Sequence, residues 1–514
     1  MKQGQWLKTR KHLLDTVKNQ VMARLGGEPR SLKNYSKKLA LEFEKTWRLS
    51  EVSEMMERAE ASDLLFLGDF HAYYQSQRAH LRILRSMDLT QSLVFFECLK
   101  EDDAQAIDLF WADEISESEF LTLVQWESSW GFAWEHYRDL FLHLKERQVL
   151  VRGLSAGDFF DLRLKARDRK MAQIIEKELL VHPSRKVVVI AGENHLHKKH
   201  LPLEVSLRSS LKFKAPMVIF QDNEILYFRT HKKLKSFGPT VLRRGDSFCW
   251  NASPPWVKWQ SYLIHLEKTS DQELEDEDLD YEDHIKAFVQ WMVQDLDLSV
   301  SFNSLEVYTP KTAKGLRTDI PQEIFKELIF SDRSFLLSPQ GKIYLSRPSV
   351  NHASSVAGQY IHAQMSQRKK IYYNLPKDLE RRLWIETVGF FFSKWMNPAR
   401  KTESFEDLKI RLDSLKERGT STQTMRLVSE IFVLGQRMKA GRKTRSLQGL
   451  TKGAHPLAQF EACRYLGRIF GRALFEAALS HRVSREELIF WLLIPLEGKD
   501  FSKTFWEGIV PRLI

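Results

Sequence analysis

Two short apolar runs each stop at a glycine followed, three residues on, by a histidine, and this pairing most constrains what the chain can fold into. Leu64-Leu65-Phe66-Leu67 leads into Gly68-Asp69-Phe70-His71, and Val187-Val188-Val189-Ile190-Ala191 leads into Gly192-Glu193-Asn194-His195. A third run, Leu93-Val94-Phe95-Phe96, ends in Glu97. Four or five apolar residues in a row, bounded by glycine, read as a strand buried on both faces, and such strands belong to parallel sheets. Ligands of open α/β sheets collect beyond the carboxyl ends of the strands. Were the three strands neighbours, His71, Glu97 and His195 would converge there. Two imidazoles and a carboxylate at one point suit a metal site or an acid/base site.

The surrounding pattern alternates strand and helix. After Leu64–Leu67 the spacing predicts a helix from His71 to Met87, with His71, Gln75 and Arg78 on one face. Helical segments follow near 103–111, 116–126 and 134–146, then a strand over Val149–Leu154 and a helix near 165–180. Met217–Phe220 and Ile225–Phe228 read as a hairpin or edge pair around Gln221-Asp222-Asn223-Glu224. The fold class expected over 55–265 is therefore α/β, a mostly parallel sheet flanked by helices. Residues 1–54 form a basic helical segment, with twelve Lys and Arg against four acids in the first fifty residues. Trp6, Leu13, Val17, Val21 and Leu25 recur there at helical spacing, which suits docking on the protein better than contact with an anionic surface. Asp271–Asp283 holds nine acids in thirteen positions, so 266–283 reads as an acidic linker. Residues 284–514 read as a mainly α-helical region, interrupted by a hairpin over Phe335–Ser346.

Composition narrows the function classes. The net charge of +11 over 514 residues is moderate and reads first as a solvated basic surface. No recognised nucleic-acid module accompanies the basic segments 1–48 and 437–452, so nucleic acid is disfavoured as a partner. Cys98, Cys249 and Cys463 fit no metal or disulfide spacing. The first thirty residues hold no apolar core of a secretory signal, no lipid-attachment cysteine follows, and no stretch reaches transmembrane length; cytoplasmic residence is the expectation.

Chemistry at the strand ends admits two readings. As metal ligands, His71, Glu97 and His195 would hold iron, manganese or zinc, leaving an open position to activate water. As a ligand cradle, His71 or His195, with Tyr73 and Tyr74 at the same helix start, would contact or ligate an iron porphyrin. Trp126, Trp130, Phe132, Trp134 and Tyr137 would supply an apolar wall for a planar ligand, although core packing explains them with fewer assumptions. His197 and His200 read as surface residues. His352, Ser355, Gln359 and His362 share one helical face, which reads as a polar contact surface between helices before it reads as a ligand stripe.

In order and spacing, Gly68-Asp69-Phe70-His71, Phe96-Glu97, Trp134-Glu135-His136-Tyr137, Arg167-Asp168-x-x-Met171-Ala172 and Ala191-Gly192-Glu193-Asn194-His195-Leu196 resemble the ChaN-like haem-binding domain of the ChaN/Tiki superfamily. That superfamily includes Tiki-type metalloproteases and is similar to erythromycin-esterase-like enzymes. The resemblance covers about 55–265. It implies an α/β fold with a pocket built from His71, Glu97 and His195. The function it implies is haem or iron binding, with His71, Tyr73, Tyr74 or His195 contacting haem. The alternative is metal-dependent hydrolysis, with Glu97 as ligand or general base and Arg78 steadying an oxyanion. A third reading is a regulatory or scaffold protein with a degenerate site. A homodimer is expected only for a ligand stacked between two pockets. Three features depart from the family pattern: no export signal, Asp69 where Glu is commoner, and a long C-terminal region.

Overall fold

The computed structural model describes residues 3–514 except 27–29, 157–162, 183–185, 209–212, 214–215, 235–237, 271–280, 301–304, 311, 314–315, 317, 319, 331–332, 348, 368–378, 418–421, 443–452 and 497–499. Most of the acidic run and of the basic stretch 443–452 thus lies outside the described residues. The chain divides into two compact units, one comprising Leu14–Leu266 and the other Met1–Leu13 with Glu267–Ile514.

The Leu14–Leu266 unit is built on an eight-stranded sheet: β1 (Arg48–Ser50), β2 (Leu64–Asp69), β3 (Ser92–Lys100), β4 (Leu150–Ser155), β5 (Lys186–Gly192), β6 (Met217–Gln221), β7 (Thr240–Arg244) and β8 (Ser247–Asn251). Their order across the sheet is β1-β7-β8-β6-β2-β5-β3-β4. From β8 to β4 all neighbours run parallel, and β7 is antiparallel to both β1 and β8. Successive side chains of a strand leave opposite faces, and here both faces are covered. Leu65, Leu67, Val94, Phe96, Val188 and Ile190 pack with Ile83, Phe110 and Phe141 on one side. Leu64, Phe66, Leu93, Phe95, Val187 and Val189 pack with Met171, Ile175 and Leu179 on the other. This two-sided burial is why the strands read as unbroken apolar runs.

Two expectations change. Ile225–Phe228 is not a strand: it lies in the helix Glu224–His231, whose start is capped by the Asn223 side chain accepting from Leu226 N at 3.1 Å. The hairpin is instead β7 with β8, turning at Gly245 with φ +60°, and β1 lies outside it at the sheet edge. The helix after the first motif spans Tyr74–Arg85 rather than starting at His71.

Two N-terminal helices, α1 (Gln3–Arg24) and α2 (Arg30–Glu44), precede the sheet. Trp6, Leu13, Val17 and Val21 of α1 are buried, whereas Leu25 is exposed. In the other unit the long helices are Glu282–Leu296, Val350–Met365, Leu379–Met396, Gln423–Lys439 and Pro456–Leu479. They stand beside a small sheet of β9 (Glu306–Tyr308), β10 (Phe335–Ser338) and β11 (Lys342–Tyr344). The helical stripe is spent on internal contacts: His352 Nδ1 lies 3.0 Å from Ser334 Oγ and 2.9 Å from Ser346 Oγ, and Gln359 Oε1 accepts from Leu336 N at 3.2 Å. No helix among the described residues is long and apolar enough to cross a membrane.

One glycine permits a close approach of two neighbouring strands. A Cβ on Gly153 of β4 would sit 2.1 Å from the Lys100 carbonyl oxygen of β3, which is backbone and cannot swing away. Gly153→Ala is expected to destabilise the Leu14–Leu266 unit by about 3 kcal/mol, the upper range for overpacking, read as a lowered urea midpoint.

Candidate functional site at the strand ends

The sheet order brings the three motifs together, because β5 lies between β2 and β3. Register aligns their ends: Gly68 faces Ala191, Asp69 faces Gly192, and Phe96 faces Ile190. Asp69, Glu97 and the residues after Gly192 therefore lie at one level, although β3 runs three residues past Glu97 to Lys100.

Asp69 closes β2, and its buried carboxylate gathers five side-chain donors. Ser76 Oγ at 3.0 Å and Gln77 Nε2 at 2.6 Å bond Oδ1, with His80 Nε2 at 3.4 Å from the same oxygen. His71 Nδ1 at 2.9 Å and Tyr137 Oη at 2.8 Å serve Oδ2. Burial opposes this charge, but the hydrogen bonds and charges of His71 and His80 outweigh it and hold the Asp69 carboxyl well below the usual range. The Asp69 bond fixes the tautomer and ring plane of His71, leaving Nε2 as its outward atom.

From His71 a chain of contacts crosses the sheet. Nε2 is 4.0 Å from Glu97 Oε2, which accepts the Gly192 backbone N–H at 2.6 Å. Glu97 Oε1 is 3.2 Å from His195 Nε2. His195 Nδ1 and His200 Nδ1 each lie 2.6 Å from one oxygen of the fully buried Asp168. Burial works against the charges of Glu97 and His195, yet their mutual attraction wins. The charge and hydrogen bond of His195 lower Glu97 to about 2, and Glu97 with Asp168 raises His195 to about 9. His71 is raised by Asp69 and Glu97 against its own desolvation.

Gly192 keeps the centre open. A Cβ there would meet His71 Nε2 at 3.1 Å and Glu97 Oε2 at 3.4 Å. His71 also lines a cavity of about 410 Å³ walled by Phe70, Phe132, Trp259 and Tyr262, with Lys18 and Lys258 among its polar groups. Lys18 lies over the Trp259 ring and is paired with Glu224 at 2.8 Å; Lys258 lies over Phe70 and 3.5 Å from Glu193. Trp126, Trp130, Trp134 and Tyr137 belong to the core beneath, and from that aromatic stretch Phe132 reaches the cavity.

The structure thus joins His71, Glu97 and His195. Tyr73 turns inward toward Asp222, and burial with that charge raises its hydroxyl far above the usual range. Tyr74 donates to Asp139 at 3.1 Å, and the exposed Arg78 lies 5.4 Å over the Tyr74 ring. None of these three lines the cavity. Among the described residues no group of three His, Cys, Asp or Glu side chains is arranged to hold a metal ion. Asp69 and Asp168 stand inside the quoted motifs with no role expected of them, and Tyr137, expected in an aromatic wall, donates to Asp69. Their signal was their place inside the quoted motifs.

Residues 55–159 match the family model described as "Haem-binding uptake, Tiki superfamily, ChaN". Among solved structures, the chain is similar to that titled "Cofacial heme binding to ChaN of Campylobacter jejuni", at 16% identity, covering 34% of this chain and 87% of that one, with a TM-score of 0.28. No curated protein matches the chain. The class defined is an α/β domain, of which residues 55–159 are similar to the ChaN haem-binding family model.

Two outcomes follow from the charge network. Tyr137→Phe leaves Asp69 one donor short and is expected to cost about 1–2 kcal/mol in urea unfolding. His195, raised from 6.5 to about 9, contributes stability that is complete below pH 6.5 and lost as pH climbs through about 9. The unfolding midpoint is expected to fall over that window, and to fall less in Glu97→Gln, which removes the charge that raises His195.

Proposed function

We infer that the Leu14–Leu266 unit binds haem or a closely related iron porphyrin in the cavity beside His71. The observation that carries this reading is the Asp69–His71 pair, which turns an imidazole Nε2 toward a corner left open by Gly192. The residues suit such a group. Haem iron takes histidine as an axial ligand, a carboxylate on the opposite ring nitrogen orients that ligand and raises its basicity, and planar apolar ligands favour aromatic walls. His71 would hold the iron through Nε2, with Phe70, Phe132, Trp259 and Tyr262 against the macrocycle and Glu97 supplying charge behind it. Iron bound there would offer a position for a further ligand or for electron transfer. His195 is the weaker ligand candidate, since its ring nitrogens meet Glu97 and Asp168. The placement of Tyr73 and Tyr74 away from the cavity favours leaving both out of the ligand set.

A hydrolase is the second reading, favoured by one observation: two carboxylate–histidine pairs flank a central glutamate. In that reading His71 Nε2 takes a proton from water or substrate, Asp69 stabilises the imidazolium, and Glu97 holds the second charge.

The test is a visible-spectrum titration of the full chain with haemin. A saturable Soret shift is expected, weakened about tenfold or more, ~1.4 kcal/mol, in His71→Ala and in Gly192→Val, and unchanged in Tyr74→Phe. Identical spectra for the native chain and His71→Ala would exclude His71 as the ligand. Absence of any haemin shift would leave the hydrolase reading in possession of the site.

A further inference from the structure

The run His195-Leu196-His197-Lys198-Lys199-His200 is only half absorbed by the site above. His195 and His200 hold Asp168, but His197 and Lys198 line a separate cavity of about 580 Å³. It lies against α2, sharing Leu39 and Phe43 with the first cavity, yet none of His71, Glu97 or His195 lines it. Its body is apolar, with Phe43, Trp47, Leu196, Val218 and Phe220 among its walls. Its polar groups are few and of one dominant sign.

Glu42 is the lining carboxylate, and cations crowd it. Lys45 Nζ bonds it at 2.7 Å, Arg244 NH1 at 2.9 Å, and Lys198 Nζ lies 3.6 Å away. Burial opposes its charge, but the Lys45 and Arg244 bonds hold its carboxyl at about 2. His197, 4.0 Å from Glu42, is lowered by burial and by His200, so it adds no charge near neutral pH. Two lining cations, Lys198 and Arg244, against the one lining carboxylate, itself also paired with Lys45 outside the cavity, leave surplus positive charge at one end of an apolar cavity, and the volume lies within the roughly 300–1,000 Å³ of small-molecule sites.

We propose that this cavity binds an amphipathic organic anion, with its apolar body against Trp47, Phe43 and Phe220 and its single carboxylate or sulfonate between Lys198 and Arg244. A lone apolar body would leave the surplus charge unanswered, and a small inorganic anion would leave the walls bare. The combination meets both, through charge-assisted hydrogen bonds at the head and removal of apolar surface from water along the body. Lys198 and Arg244, which hold the head, do not line the cavity beside His71.

The full chain is titrated with 1-anilinonaphthalene-8-sulfonate, followed by fluorescence, and the bound probe is then challenged with dodecanoate or dodecanol. Saturable enhancement is expected, reversed by dodecanoate and not by dodecanol at equal concentration. Lys198 and Ser206 are exposed, so Lys198→Glu and Ser206→Trp are expected to keep the native circular dichroism. Lys198→Glu reverses the charge at the head and should weaken dodecanoate about tenfold or more. Ser206→Trp fills the cavity and should abolish probe binding. Neither should alter the haemin spectrum. Equal displacement by dodecanol, or unchanged binding in both variants, overturns the proposal.

Discussion

The buried carboxylate of Asp69 is the interaction on which the rest of the site depends. An ionised carboxylate withdrawn from water is tolerated only when its lone pairs are filled. Here the donors come from three separate pieces of chain: His71 in the turn after β2, Ser76, Gln77 and His80 from the helix Tyr74–Arg85, and Tyr137 from the helix Trp134–Glu146. One charge thereby ties two helices to the end of one strand. The same bonds fix His71, whose ring is also wedged edge-on against Trp130 with centroids 4.5 Å apart. Position, tautomer and basicity of that imidazole all follow from a residue two places earlier.

The opposite side of the site repeats the logic. Asp168, fully buried, orients His195 as Asp69 orients His71, and Glu97 stands between the two rings. The backbone joins in, since Gly192 N–H donates to Glu97. The register that sets Asp69 opposite Gly192 therefore also sets the distance between the two histidines. Slipping β5 by one residue would turn its apolar side chains to the wrong faces. The hydrophobic pattern of the strands thus enforces the geometry of the polar cluster, though it touches none of it.

That coupling explains what was legible in the sequence. Strands buried on both faces announce themselves as apolar runs, and the residues at their ends are read off with them, so β2, β3, β5 and the trio His71, Glu97 and His195 were all visible. Side-chain direction beyond the strand ends was not. Each helical residue turns about 100°, so starting the helix at Tyr74 rather than His71 removes His71 from the face it was to share with Arg78. Ile225–Phe228 has the residue types of a strand, but the Asn223 cap decides for helix, and a cap outweighs weak propensity. Asp168 lies 27 residues before its partner His195, on a helix whose periodicity marks only the apolar face. A buried carboxylate on such a helix looks like any solvated acid until the partner is in place.

The same dependence sets how much chain the site requires. The family match ends at 159, while β5, Asp168, Gly192 and His195 all come later. In the sheet β5 is the strand between β2 and β3, so a chain ending at 159 would leave those two strands with a gap between them and His71 facing no glycine. The roof of the first cavity comes from the other direction: Lys18 and Met22 of α1, Leu25 just after it, and Leu39, Ala40 and Phe43 of α2 line it. Segments on both sides of the matched stretch are therefore structural parts of its pocket. A binding site assigned to 55–159 alone would lack its central strand and one of its walls. The Leu14–Leu266 unit, which supplies both, is the piece whose chemistry can be compared with that of haem-binding domains.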